Sequence, residues 1–156
     1  MDVRRARAAG PPAGGDPETT TASLVDGWFK TGNVAVLHPD SYVEIRDRSK
    51  DVIITGGENV ASIDVEQVLV SDPAVLEAAV VAAPDPVWGE VPVAYVTLKD
   101  GRQVADAELI EYVRQRLAHF KCPKWVLFEE LPKTSTGKVE KYVLRAKAAA
   151  LGPFGD

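Results

Sequence analysis

The stretch best suited to chemistry is Leu131–Lys138, LPKTSTGK, in which a lysine follows a turn rich in small and hydroxylated residues. A long, flexible ammonium at Lys138 is a mobile point charge that can stabilise anionic charge as it develops. Gly137 gives the backbone freedom, and the Thr134–Gly137 turn can carry the lysine as a unit. The competing explanation is a solvated surface lysine next to a helix start, although the positive end of a helix dipole is a poor place for a cation. A nucleotide-binding P-loop is excluded, because Pro132 occupies its first glycine position and Val139 its Ser/Thr position. Arg46–Asn59, RDRSKDVIITGGEN, opens with alternating charges typical of an exposed turn. It ends in Gly56-Gly57, which serves either a simple turn or a backbone passing close to a narrow ligand. Trp88-Gly89 and Phe120 suit either a core or a ligand contact. Lys121 and Lys124 are either solvated loop lysines or attractors of an anion. With only His38, His119 and Cys122 available, the chain holds no metal cluster of that type, and no nucleophile triad is visible.

These groups need elements to position them. Val34–Leu37 and Tyr42–Arg46 flank His38-Pro39-Asp40-Ser41 and predict a strand, a turn and a strand. Val52–Ile54 predicts a short strand ending at Gly56-Gly57. Ser62 is expected to cap a helix, with Asp64 and Glu66 near its positive end and Val65, Val68 and Leu69 on one stripe that Asp72-Pro73 stops. Val75–Ala83 and Val91–Leu98 are rich in β-branched residues and predict central strands joined by a Pro/Gly/Trp loop. Asp106 is expected to cap a second helix with Leu109, Ile110, Val113 and Leu117 on one face. A strand over Trp125–Phe128, the 131–138 loop and a last helix from about Glu140 to Ala149 complete an α+β order.

At 156 residues, 46% hydrophobic and 26% charged, the chain can bury one ordinary core. A net charge of -5 offers no field to attract nucleic acid or an anionic membrane. One cysteine excludes an internal disulfide and suits a reducing cytoplasm, which is the expected location. No apolar run approaches the ~20 residues that span a bilayer, and the start of the chain has no signal-peptide core. Residues 1–23 are a Gly/Pro/Thr/Ala leader expected to lack regular structure.

Taken together, DGWFKTGN (26–33), RDRSKDVIITGGEN (46–59), Trp88-Gly89 and LPKTSTGK (131–138) stand in the order found in acyl-CoA ligases of the AMP-binding, adenylate-forming family. Residues 17–150 resemble the end of such an enzyme. The resemblance implies a hairpin over 24–46 that belongs to the large domain's end, a small C-terminal domain over 47–150, and a tail at 151–156. The fold it implies is a short antiparallel hairpin followed by a mixed three-stranded sheet with helices. Such ligases join a carboxylic acid to ATP as an acyl-adenylate, then swing the C-terminal domain so that CoA attacks it. HPDSYVEIRDRSKDVIITGGEN is most similar to the branch acting on short- to medium-chain fatty acids.

The same resemblance implies roles for individual residues. Lys138 matches the catalytic lysine of adenylation. Arg48 matches an arginine at the ribose hydroxyls, where a fixed fork of donors suits vicinal oxygens. Lys50 matches the hinge. Gly56, Gly57 and Glu58 match the loop along the pantetheine tunnel, and Trp88 and Phe120 match CoA contacts. Three positions depart from the family. Asn33 stands where relatives use an aspartate that accepts from both ribose hydroxyls, and an amide has one acceptor oxygen. Cys122 stands where some relatives have an arginine for the CoA phosphate, and Ser41 where glycine is usual. ATP or AMP and CoA are the implied substrates, with magnesium held by the large domain. Nothing in the chain resembles that domain's phosphate-gripping loop, so a detached domain inactive alone is expected, with the large domain as its partner. A non-catalytic binding module, a homo-oligomer formed through residues 24–46, or a complementing subunit of a separate large domain is the alternative.

Overall fold

The computed structural model describes residues 51–151, Pro39 and five short strands upstream. The chain divides into two compact units, Met1–Lys50 and Asp51–Asp156.

In the first unit, β1 (Arg5–Arg7) and β2 (Leu24–Val25) both pair antiparallel with β3 (Trp28–Lys30). Strand β1 lies within the 1–23 leader. Strand pairing uses backbone donors and acceptors that composition does not report. The other residues of 1–23 lie outside the described residues. Strands β4 (Asn33–Leu37) and β5 (Val43–Arg48) form the expected hairpin, running from Asn33↔Arg48 to Leu37↔Val43. Pro39 lies exposed in its turn, while Ser41 lies outside the described residues.

The second unit opens with β6 (Val52–Thr55) and β7 (Glu58–Ala61), paired antiparallel across Gly56-Gly57. The two glycines have φ of +57° and +87°, and a two-residue loop with both φ positive is the type I′ arrangement that matches strand twist. The sequence predicts β6 but no strand at 58–61. Glu58 and Asn59 hide it, because the diglycine turn rather than β-propensity folds the strand back. Helix α1 (Ser62–Val70), strands β8 (Val75–Asp85) and β9 (Gly89–Leu98), helix α2 (Asp106–Arg114), a 3-10 turn at His119–Lys121, strand β10 (Trp125–Phe128) and helix α3 (Lys141–Ala150) follow. Strand β9 pairs antiparallel with β8 and parallel with β10, which gives the expected mixed three strands. A single further register pair, Thr55↔Gly89, joins β6 to β9 and extends the sheet to five.

Two helix starts differ from expectation by one residue. Ser62 and Asp106 are the first residues inside their helices, following Ala61 and Ala105. The Ser62 hydroxyl is buried and accepts from Lys141 Nζ at 2.7 Å, so it serves a tertiary contact instead of a cap. At α2 the free amide of Ala105 is taken by Glu108 Oε2 at 3.1 Å. Glu66 likewise holds Lys141 Nζ at 2.8 Å and the Val80 amide at 2.8 Å, tying α3, α1 and β8 together.

Alternation along β8 and β9 builds two cores. Val80, Ala94 and Val96 face α1 and α2, meeting Val65, Leu69, Leu109 and Val113. Ala79, Val81, Val93 and Tyr95 face α3, meeting Leu144 and Ala148. The result is a three-layer α+β unit whose central strand β9 is buried continuously from Val91 to Val96. Tyr95 is 1% exposed, and its hydroxyl donates to the Leu144 carbonyl at 3.3 Å.

The β8–β9 connection, Pro86-Val87-Trp88, is held by Asp85. Its Oδ1 accepts from the amides of Val87 at 2.9 Å and Trp88 at 2.8 Å, and its Oδ2 accepts from Lys124 Nζ at 2.9 Å. The Lys124 hydrogen bond, followed by the Trp88 amide, holds the Asp85 carboxyl at about 2, below its ordinary 3.8.

Replacing Leu144, which is fully buried, by alanine should cost ~2–5 kcal/mol. Tyr142→Ala, on the exposed side of α3, should change stability by no more than ~0.5 kcal/mol. Urea unfolding of both variants checks this, and equal losses would contradict the packing. The depressed Asp85 carboxyl makes a signed prediction for acid. Its stabilisation is complete above about 3.8 and is lost as pH falls through about 2. Asp85→Asn should therefore be less stable than wild type near neutral pH, and the gap should close on acidification, read from urea midpoints across that range.

Candidate functional site

Four of the residues expected to touch CoA converge in space. Gly56, Glu58, Trp88 and Phe120 line an open pocket of about 470 Å³, which Thr55, Pro92, Ile110, Arg114, His119 and Lys124 complete. The hairpin turn of β6–β7 forms one wall, the β8–β9 turn a second, and α2 with the 3-10 turn a third. Trp88 and Phe120 are 56% and 40% exposed, too open for core aromatics and placed to cover an apolar ligand stem. Gly57 does not line the pocket; a Cβ there would meet nothing within 4 Å, and its glycine is set by positive φ. Gly56 differs. A Cβ on it would stand 2.7 Å from Trp88 Cε3, and its amide donates to the Trp88 carbonyl at 2.9 Å. The glycine therefore makes room for the Trp88 ring.

The cations expected as phosphate attractors have protein partners. Lys121 pairs with Asp64 at 2.8 Å and Lys124 with Asp85 at 2.9 Å. Burial pushes the Cys122 thiol up, leaving it neutral where an arginine would carry charge. Arg114 is the cation that the sequence reading missed, and it too has a partner, Glu111 at 3.2 Å. It shares a helix face with Ile110, four residues earlier, and both line the pocket. Asp85 was missed as well. An Asp-Pro pair opening a short connection is the sequence signal for a carboxylate that caps a turn.

Lys138 stands apart from this pocket. Residues 134–138 form a tight loop in which the Thr134 amide donates to the Lys138 carbonyl at 2.8 Å and the Gly137 amide to the Thr134 carbonyl at 2.9 Å. Gly137 takes φ of +83°, which the loop requires and which side chains rarely adopt. Lys133 and Val139 close the loop as a β-bridge. The Lys138 side chain is exposed, and among the described residues it makes no ion pair. Leu131 and Val139 anchor its loop in the core on the α3 side of the sheet, and no residue of the loop lines the pocket, which itself rests on both cores, through Val91 on the α3 side and through Ile110 and Cys122 on the α1–α2 side.

In the first unit, Asn33 and Arg48 are register partners at the end of the β4–β5 pair, so the backbone sets the two nucleotide-binding candidates opposite each other. Lys50 lies outside the described residues; the division between the two units falls directly after it. Among the described residues no group of acidic, histidine or cysteine side chains could hold a metal ion, and no helix is long and apolar enough to cross a membrane.

Residues 64–138 match the AMP-binding enzyme C-terminal domain. The chain is 57% identical over 141 residues to 2-methylpropanoate–CoA ligase of Humulus lupulus, covering 88% of this chain and 25% of that enzyme. It is 53% identical over 140 residues to a peroxisomal butyrate–CoA ligase of Arabidopsis thaliana, covering 87% and 24%. ATP-bound MatB from Rhodopseudomonas palustris superposes with a TM-score of 0.78 at 37% identity, over 84% of this chain and 26% of that one. The chain thus spans about a quarter of the length of the relatives it matches. In motif, fold and similarity it carries the C-terminal domain of the AMP-binding, adenylate-forming CoA ligases.

Proposed function

We propose that this chain supplies the moving C-terminal domain of an ATP-dependent acid–thiol ligase that makes a short-chain acyl-CoA. One observation carries the proposal: the Lys138 loop and the aromatic pocket are separate surfaces of one packed unit and share no residue. Two such surfaces can serve one active centre only in turn. The ligase reaction needs such alternation, since adenylation consumes ATP before the thiol enters. Relatives named for 2-methylpropanoate and butyrate support a short aliphatic acid as the substrate.

In the first half-reaction, the exposed Lys138 ammonium reaches the carboxylate and α-phosphate while charge builds between them, and stabilises the transition state more than the ground state. Arg48 donates to the ribose hydroxyls, with Asn33 opposite it as a single acceptor. ATP arrives with magnesium on the large domain. The unit beginning at Asp51 then turns about Lys50. In the second half-reaction the pantetheine arm lies along Gly56, Glu58, Trp88 and Phe120, and Arg114 faces the CoA phosphates. The cytoplasm is the proposed location, with peroxisomal relatives providing the alternative.

The chain on its own should release no pyrophosphate from ATP above blank with C2–C12 acids, because positioning by a large domain supplies ~7–11 kcal/mol of barrier lowering. In a ligase joining this chain to a compatible large domain, Lys138→Ala should slow adenylation ~10²–10³-fold. Thioester formation from supplied acyl-adenylate should survive. Trp88→Ala should do the reverse, raising KM for CoA about tenfold while sparing adenylation. Rapid-quench timing of each half-reaction decides the matter; damage to both steps by Lys138→Ala would show a structural lysine and defeat the proposal.

A further inference from the structure

We infer that Asp85 is a positioning residue for the thioester half-reaction, seating Trp88 against Gly56 and so setting the width of the pocket. The inference rests on the CoA reading of that pocket. Only one register pair, Thr55↔Gly89, joins β6 to β9. The relative placement of the Gly56 turn and Trp88 therefore depends on a few polar contacts. Two of them cross between the strands: the Gly56 amide donates to the Trp88 carbonyl at 2.9 Å, and the Ile54 amide donates to Glu90 Oε2 at 2.9 Å. The third is the Asp85 carboxylate, which holds the Trp88 turn from below.

Asp85 is the only one of these anchors that fixes the turn by side chain at both amides. Its side chain is 4% exposed although it carries charge, and it is saturated by two backbone amides and the Lys124 ammonium. Charge-assisted hydrogen bonds of this kind are about twice as strong as neutral ones. Trp88 is thereby held at its amide by Asp85 and at its carbonyl by Gly56, with its ring filling the space a Gly56 side chain would need. Asp85 itself does not line the pocket; Trp88 and Lys124, two of its three partners, do. Any effect of Asp85 on CoA must pass through them.

A double-mutant cycle in the joined ligase tests this. Asp85→Ala should raise KM for CoA about tenfold, with the adenylation rate unchanged within about twofold. In the Trp88→Ala background the same substitution should add less than about twofold. Asp85→Asn keeps an acceptor for the two amides but turns a donor toward Lys124. It should raise KM for CoA about threefold, again only when Trp88 is present, and it decides the question if the alanine variant does not fold. Acrylamide quenching of tryptophan fluorescence in the chain as it stands should increase in Asp85→Asn and not in a Trp88→Ala, Asp85→Asn pair relative to Trp88→Ala. Equal effects with and without Trp88, or loss of both half-reactions together, would overturn the inference. If Trp88→Ala left KM for CoA unchanged, the CoA reading would fail and this inference with it; if Trp88→Ala acted while both Asp85 variants were silent, the positioning role alone would fail.

Discussion

Strand β9 is the constraint on which the second unit depends. It is hydrogen-bonded to β8 along one edge, and to β10 and the end of β6 along the other. From Val91 to Val96 it is buried on both faces. A strand in that position must be apolar throughout, and it forces helices onto both sides of the sheet to cover what β8 and β9 expose. Helices α1 and α2 meet that need on one face, and α3 on the other. The candidate surfaces then lie at the margins: the pocket where β9 begins, and the Lys138 loop in the connection from β10 to α3.

Placing the two candidate surfaces at separate places on one packed unit has a mechanical consequence. A packed three-layer unit does not deform to bring them together, so a change of surface requires the unit to move as a body. Helix α3 reinforces this. It follows directly on the Lys138 loop and is tied to α1 by Lys141, bound to Ser62 and Glu66, and to Asp51 by Arg145. The Lys138 loop and the first residue of the unit are therefore linked through one helix.

Much of this was legible in the sequence, for identifiable reasons. Leu109, Ile110 and Val113 recur at helical spacing, although the helix ends at Arg114, before Leu117, and the β-branched runs of β8 and β9 have no competing pattern, so those elements could be placed from sequence. Strand β7 was hidden because Glu58 and Asn59 give no strand signal, and its existence depends on the φ of two glycines. The helix starts at Ser62 and Asp106 looked like caps, since a cap and a first-turn residue share the same side chains; tertiary partners decide which role is used. At the site, motif resemblance named Gly56, Glu58, Trp88 and Phe120, and the fold brings those four to one pocket. It did not name Asp85 or Arg114. Their parts depend on a turn's amides and on a helix face meeting a hairpin from 50 or so residues earlier, a separation that local sequence patterns do not encode.

The alternation of the two surfaces can be measured most directly by hydrogen exchange on the joined ligase in its two substrate states. With ATP and a non-reacting carboxylate, amides of the 131–138 loop should slow while those of the Gly56-Gly57 and Val87-Trp88 turns keep the free rate. With a stable acyl-adenylate mimic and CoA, the protection should move to the two turns and leave the loop. Simultaneous protection of both regions in either state would contradict the account, because the two separate surfaces would then be serving the active centre together.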